Sequence, residues 1–389
     1  MGLTADVDLE TYAIDGLVPT RHVAAGSVDD VVAAIREANE TRTAVVLWGG
    51  GTRIGVGDPP RRYDVALDLR GLAGIVAHEP ADLTITVLAG TTMSALSDVL
   101  RPHGQRWPVE VAHPGRATVG GTLAGAAGGP SRYRYFHPRD RTIGCQAVLG
   151  DGTLTRAGGR VVKNVTGYDL TRLYSGSYGT LAALVELTLK LEPIPERTLT
   201  LRADLPDPSF GYRATRELLR ARHQLDAIAM LMGDVGEDIC PTWTALYVRL
   251  AGTGAVVDRL RTAVGSHAPF IEAPDDVWAR IAALPADAPL SLRAVWPTAK
   301  ALELYPQRAV WYPGVDVMHV MDDEIEPDQL RSLRAAVEAV SGALVVERAP
   351  ADLRRAVGTW GTPRVPAVIS ERLRSAFDPN GVLAPGRMP

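Results

Sequence analysis

Two glycine-rich clusters carry the chemistry most visible in this chain. The first is Gly49-Gly50-Gly51-Thr52-Arg53. The second is Ala117-Thr118-Val119-Gly120-Gly121-Thr122, continued by Ala124-Gly125 and Gly128-Gly129-Pro130. Each offers successive backbone N–H groups with little side-chain bulk in front of them. Oriented amides and helix N-termini carry partial positive charge, so such a surface suits a diphosphate. Each cluster follows an extended apolar stretch. Together they point to a large phosphate-bearing cofactor gripped from both sides by backbone dipoles.

The elements that must position these clusters follow from periodicity. Ser27 precedes Val28, Val31, Val32, Ile35 and Ala38, which is helical spacing behind an N-cap. Ala44 to Trp48 forms a short buried strand running into the first cluster. Asp64 to Leu69 and Leu83 to Val87 alternate with period two, as half-buried strands do. A helix over Thr91 to Leu100, capped by Thr91 or Thr92, leads to the second cluster. Cys145 to Leu149 and Thr153 to Arg156 make a hairpin across Asp151-Gly152. Leu181 to Leu191 is the longest strand, stopped by Pro193 and Pro195. The six-residue dinucleotide fingerprint is absent, because Gly55 and Gly57 do not supply it in a strand–turn–helix context.

Beyond residue 196 the pattern becomes a second α+β unit. Helices are expected over 212–222, 254–264, 275–283 and 327–340. Strands are expected over 227–232, 243–250, 290–296, 315–321 and 343–346. An antiparallel sheet with helices on one face fits this order. The tail holds one further helix, Pro366 to Phe377. The fold class is therefore α+β, divided as residues 1–195, 196–348 and 349–389.

Composition narrows the function classes. The 389 residues are 46% hydrophobic and 22% charged, with a formal net charge of −4. That balance gives no electrostatic basis for binding nucleic acid or an anionic membrane. Pairs such as Arg61-Arg62 and Arg354-Arg355 read as solvated surface. The two cysteines, Cys145 and Cys240, cannot hold an iron–sulfur cluster, which needs about four thiolates. The acidic N-terminus lacks a signal pattern and no apolar run is long enough for a bilayer. A cytoplasmic location is expected.

The residues also resemble a known family. Four segments carry the likeness: Trp48 to Arg53 with Gly55 and Gly57; Pro114 to Gly121 running on to Arg132 and Arg139-Asp140; Gly158 to Leu170 with Gly176 to Leu181; and Phe377 to Arg387. The chain resembles the FAD-binding fold of the vanillyl-alcohol oxidase and p-cresol methylhydroxylase (PCMH) superfamily. Within it, the chain is similar to the FAD-binding E subunits of bacterial glycolate oxidases. The resemblance implies a two-part FAD-binding domain of the PCMH type, a smaller α+β cap or substrate domain, and a C-terminal tail returning to the flavin.

The resemblance implies these site residues. Gly49, Gly50, Gly51 and Thr52 would contact the pyrophosphate, with Arg53 adding charge. Pro114, Thr118, Val119, Gly120, Gly121, Thr122 and Gly125 would wrap the phosphate and ribitol side, followed by Arg141, Thr142 and Ile143. Tyr168 and Asp169 would flank the adenine end, held by Gly179 and Val185. Lys163 would reach the flavin or form an ion pair with an acid. Arg387 would come from the tail, where Ala384-Pro385-Gly386 replaces the Asn-Pro-Gly of most relatives. The Gly-Gly-His string that carries a covalent flavin in one branch is absent, so noncovalent FAD is expected. No metal is expected.

The implied reaction is oxidation of a small 2-hydroxy acid such as glycolate or lactate to the 2-oxo acid. Such chemistry needs a base for the hydroxyl proton and a cation for the carboxylate. His319 is the candidate base and Arg293 the candidate carboxylate ligand. His113, His137 and Arg134 are secondary candidates. Electrons would pass to a quinone or to partners, namely a second flavoprotein subunit and an iron–sulfur subunit. Membrane contact at the inner face would be made through a partner. Two other readings fit the same residues: a flavin-carrying electron-transfer or scaffold subunit without its own substrate site, and a stand-alone alcohol or sugar oxidase.

Overall fold

A computed structural model describes residues 7–159, 168–295 and 308–389. The chain opens with β1 (Arg21–Ala24), α1 (Val28–Thr41), β2 (Val45–Trp48) and β3 (Val65–Asp68). Ser27 and Asp30 form a reciprocal capping box at the start of α1. Val31, Ile35 and Ala38 recur at helical spacing and bury one face of it. The three strands are parallel in the order β1-β3-β2. β3 is buried on both faces rather than half-buried. Its alternation with a polar residue is misleading because Asp68 goes inward. There its carboxylate accepts from Tyr12 Oη at 2.8 Å and pairs with Arg70 at 2.5 Å.

Next come β4 (Ile75–Glu79), β5 (Thr84–Leu88), α2 (Met93–Leu100), β6 (Gln105–Arg106), α3 (Val119–Ala124) and α4 (Arg132–Tyr135). They are followed by β7 (Thr142–Leu149), β8 (Leu154–Gly158), α5 (Leu170–Tyr174), β9 (Ala182–Lys190) and β10 (Glu192–Pro193). An antiparallel sheet runs β4-β5-β9-β7-β8, and β6 pairs with β10. Thr92 caps α2 and Thr118 caps α3. The β7–β8 hairpin turns on Gly152 at φ +82°, with Thr153 N donating to Asp151 Oδ1 at 2.8 Å. Val87, Leu96, Val119, Leu123 and Leu187 pack the core between this sheet and its helices.

The remaining elements are β11 (Arg197–Leu205), α6 (Pro208–Ala221), β12 (Ala227–Gly233), β13 (Thr244–Gly252), α7 (Gly254–Gly265), β14 (Ile271–Ala273) and α8 (Val277–Asp287). After them come β15 (Leu290–Val295), β16 (Arg308–Tyr312), β17 (Val317–Asp322), α9 (Pro327–Ala339), β18 (Ala343–Arg348), α10 (Ala351–Val357) and α11 (Ala367–Phe377). Eight strands form one antiparallel sheet in the order β14-β11-β13-β12-β16-β17-β15-β18. Ile228, Met230, Leu246 and Val248 face α6, α7 and α9. Ala229, Leu231 and Tyr247 face Trp278 and Ile281 of α8 on the other side. Helices therefore cover both faces, not one, because the strands are apolar at consecutive positions and each face needs a cover. The tail contains two helices rather than one. No helix among the described residues is long and apolar enough to cross a membrane.

A buried ion cluster joins this sheet to the N-terminal elements. Arg249 Nε donates to Asp226 Oδ2 at 2.7 Å, and Arg106 and Tyr135 donate to Oδ1 at 3.0 and 2.7 Å. Arg249 also pairs with Glu110 at 2.8 Å. Burial alone would raise the Asp226 pKa, but Arg249 and Arg106 outweigh it and hold the group below its usual value. Removing one partner strands the others without water. Asp226→Ala should cost about 3–5 kcal/mol of stability by chemical denaturation, and Asp226→Asn clearly less.

Candidate functional site

The first glycine cluster lies at the end of β2 and lines a groove of about 820 Å³ with Thr118, Gly121, Gly125, Tyr178, Gly179 and Arg387. The N–H groups of Gly50, Gly51, Thr52 and Arg53 find no acceptor among the described residues. Successive unpaired amides at a cavity wall form an anion nest. The carbonyls just beyond are turned the other way. Arg387 Nη2 donates to Ile54 O and, at 2.5 Å, to Val56 O. Arg354 Nη1 donates to Gly55 O at 3.0 Å and Gly57 O at 2.7 Å. Two buried guanidiniums from the C-terminal segment thus fix four consecutive carbonyls. Arg354 is 3% exposed and pairs with Asp15, so it is no surface residue. Burial pushes the Arg387 pKa down to about 10, and its Nη1 is buried without an acceptor.

The second cluster does a different job from the one expected. Val119, Gly120 and Thr122 donate their N–H groups to Thr91 O, Ala89 O and Thr118 O, and Gly121 donates to Thr118 Oγ1. These amides are satisfied and form no second jaw. A β-carbon on Gly120 would stand 2.7 Å from Ala89 Cβ, and one on Gly50 would stand 1.7 Å from Arg116 O. Both glycines let backbones approach closely. A β-carbon on Gly49 would lie 2.5 Å from Thr118 Oγ1, so the two clusters also pack on each other. What the second cluster offers a ligand is a bare wall and the buried, unpartnered Thr122 Oγ1.

The other cofactor candidates divide sharply. Gly179, at φ +74°, lines the groove. Val119 and Val185 are core residues with no exposure, and Val185 O is taken by Ala89 N. Arg141 pairs with Glu192 and donates to Tyr135 O, while Thr142 donates to Pro138 O. Arg141, Thr142, Ile143 and the exposed Pro114 line neither cavity. Tyr168 is 93% exposed and Asp169 caps α5 through Thr171 and Arg172. Lys163 lies outside the described residues. The tail adds Leu383 beside Val45 of β2, and Ala384 is buried against Trp48 and Tyr63. It reaches the groove through Arg387 and contributes nothing to the deeper cleft.

That cleft, of about 1430 Å³, adjoins the groove and shares Gly51, Thr52, Arg53 and Gly121 with it. Its far wall comes from the eight-stranded sheet. β15 pairs with both β17 and β18, which places Arg293 directly opposite His319. Glu347 projects from β18 on the face opposite Leu344 and Val346. Arg53 Nη2 and Arg293 Nε donate to Glu347 Oε1 at 2.6 and 2.8 Å. His319 Nδ1 stands 3.4 Å from Oε2. Burial would raise the Glu347 pKa, but Arg53, His319 and Arg293 hold it well below the usual carboxylate value. The composition of β18 gave the only sequence signal for Glu347, an acid near the end of an apolar strand.

Of the secondary candidates only His113 lines the cleft. His113 Nε2 meets Asp287 Oδ1 of α8 at 2.8 Å across the cleft mouth. Burial, with Arg132 and Arg139 nearby, pushes the His137 pKa down to about 4. Arg134 is exposed beside the Tyr135 ring. Burial pushes both thiols, Cys145 and Cys240, up to about 12, which leaves them poor nucleophiles.

FAD fits this arrangement. Four successive amides without an acceptor among the described residues, and the buried Arg387 Nη1 beside them, suit a diphosphate, and the groove adjoins the cleft. Known proteins agree. Residues 19–158 match the family model of the FAD binding domain. Glycolate oxidase subunit GlcE of Escherichia coli (strain K12) is 29% identical over 373 residues, covering 91% of this chain and 95% of that one. A D-2-hydroxyglutarate dehydrogenase of Xanthomonas citri pv. viticola is 36% identical over 213 residues, covering 53% of this chain and 44% of the dehydrogenase. The chain thus spans less than half of that relative. The substrate-bound crystal structure of p-cresol methylhydroxylase superposes with a TM-score of 0.70 at 16% identity, covering 94% of this chain and 88% of that one. The chain carries an FAD binding domain over residues 19–158 on a PCMH-type fold, and FAD is its cofactor.

Proposed function

We propose that the chain oxidises a small 2-hydroxy acid, such as glycolate or lactate, to the 2-oxo acid as one subunit of a larger enzyme. The observation carrying this is the convergence of His319, Arg293 and Arg53 on the buried Glu347, in a cleft continuous with the FAD groove. FAD, when bound, supplies the two-electron acceptor. The Glu347 carboxylate, 3.4 Å from His319 Nδ1, favours the proton on that nitrogen and leaves Nε2 as the base for the substrate hydroxyl. Arg293 and Arg53 hold Glu347 ionised and so hold the imidazole in place. The expected division of labour assigns residues 1–195 to FAD, 196–348 to the cap and 349–389 to a clasp. FAD is bound noncovalently in this reading, supported by the lack of histidine and cysteine among the described residues that line the groove. The electrons leave for a quinone or for a second flavoprotein and an iron–sulfur subunit, in the cytoplasm or at the inner membrane face through a partner.

His319→Gln should keep its flavin and lose roughly 10²–10⁴-fold in the rate of anaerobic flavin reduction by the 2-hydroxy acid. Wild-type reduction rates in the variant would remove His319 from the mechanism. A second reading, a flavin-carrying scaffold subunit, draws on the fact that Arg53, Arg293 and His319 all have a partner in Glu347. Mixing the flavin-loaded chain with D- and L-2-hydroxy acids, alone and with its co-purifying partners, separates the two. Bleaching of the flavin band by the chain alone supports catalysis here. Bleaching only with partners, and unaffected by His319→Gln, supports the scaffold.

A further inference from the structure

One tyrosine hydroxyl of the cleft wall has no partner. Tyr312, on β16, is 2% exposed and lines the cleft, so the little surface it keeps faces that cavity. Its hydroxyl makes no hydrogen bond among the described residues, yet it is not sealed from solvent. Tyrosine hydroxyls this deep usually find a partner, so the exception calls for a cause. The sheet sets this one beside His319. Val310 opposes His319 across β16 and β17, and Tyr312, two residues further on, shares their face. The two rings meet edge to face with centroids 5.8 Å apart. Burial, with Glu110 and Glu347 nearby, pushes the Tyr312 pKa well above its usual value, so the group stays a neutral donor. Both acids are committed elsewhere. Glu347 is held by Arg53 and Arg293, and Glu110 by Arg249 and the Ser131 amide.

We propose that the Tyr312 hydroxyl is the donor that seats the carboxylate of an acid entering the cleft. This rests on the 2-hydroxy acid reading and names the residue that orients the acid group. In such an acid the carboxylate and the hydroxyl stand on adjacent carbons. A donor for the one and a base for the other must therefore be neighbours, as Tyr312 and His319 are. Arg293, expected from sequence in this role, has given its Nε to Glu347 and lines neither the groove nor the cleft. Arg116 and Arg348 do line the cleft, but both are exposed and donate to Gly50 O and Ala286 O. Their charge draws an acid in, and the buried hydroxyl decides how it lies against His319.

The test uses the flavin-loaded full chain and oxalate, a planar dianion that cannot lose hydride. Oxalate should perturb the flavin spectrum of the wild type in a saturable titration. Tyr312→Phe removes one oxygen and nothing else. It should weaken oxalate binding by roughly 10- to 100-fold, the loss expected of a hydrogen bond to a charged group, and raise KM for the acid more than it lowers kcat. The same variant should keep its flavin and melt no earlier than the wild type, because the hydroxyl it lacks bonds to nothing in the fold. Unchanged oxalate affinity in Tyr312→Phe, or no oxalate binding by the wild type, overturns the proposal. A variant that loses flavin and melts earlier makes the hydroxyl structural and overturns it too. Oxalate binding that depends on Tyr312, with no 2-hydroxy acid reducing the flavin even with partners present, overturns the reaction and leaves the carboxylate seat standing.

Discussion

Gly50→Ala is expected to purify almost free of flavin. Its β-carbon would fall 1.7 Å from Arg116 O, and a backbone carbonyl cannot yield as the end of a flexible side chain can. The first loop must then move away from the second. The free amides of Gly50 to Arg53 sit on that loop, so their aim at the groove is lost with it. Hydrogen bonds to a charged group are worth about 1.5–3 kcal/mol each, so losing two should weaken FAD binding by roughly 10²–10⁴-fold. Gly265→Ala is the matched control. Its β-carbon would meet nothing within 4 Å, and alanine suits the last turn of α7 better than glycine does. Fluorescence titration of both apoproteins with FAD reads the difference. Tight FAD binding by Gly50→Ala would show that the loop position is unimportant.

The second large effect is expected at Glu347. Replacement by alanine strands the guanidiniums of Arg53 and Arg293 in a site that is mostly closed to water. Breaking such a buried pair costs about 3–5 kcal/mol. The lower end applies here, because both guanidiniums keep some solvent contact. His319 loses the group that orients it, so flavin reduction by substrate should fall in parallel. Glu347→Gln keeps the shape and one acceptor while removing the charge, which separates orientation from electrostatics. The folded-state pKa is depressed, so the stabilisation is complete above the ordinary value of 4.5. It is lost as pH falls through that value toward the lower folded one. Thermal melts of wild type and Glu347→Gln should therefore differ most near neutral pH and converge on acidification. A gap that widens in acid would contradict the assignment of charge.

What was legible in the chain was local. Ser27 with Asp30 marks the start of α1, Asp151-Gly152 marks the β7–β8 turn, and Gly49 to Arg53 marks the loop whose amides stay without an acceptor among the described residues. Each depends on a few consecutive residues and their backbone preferences. What was hidden depends on strands meeting across long separations. Glu347 gains meaning only when β15 lies between β17 and β18 and carries Arg293 to it. Arg354 looked like half of a solvated pair, because nothing near it in sequence shows that Gly55 and Gly57 supply its acceptors. The second glycine cluster misled for the same reason. Its amides are spent on Ala89 and Thr91, strand-end and turn residues whose proximity no local pattern reveals. Asp68 broke the alternation of β3 because its partners, Tyr12 and Arg70, satisfy it inside.

The central claim is that the unpaired amides of Gly50 to Arg53, locked by Arg354 and Arg387, hold the flavin through its diphosphate. The most direct measurement compares the affinity of the apoprotein for FAD and for riboflavin, which has the same ring and no phosphate. The expected result is that FAD binds at least roughly 10²-fold more tightly, as charge-assisted hydrogen bonds to a diphosphate require. Equal affinity for the two would contradict it.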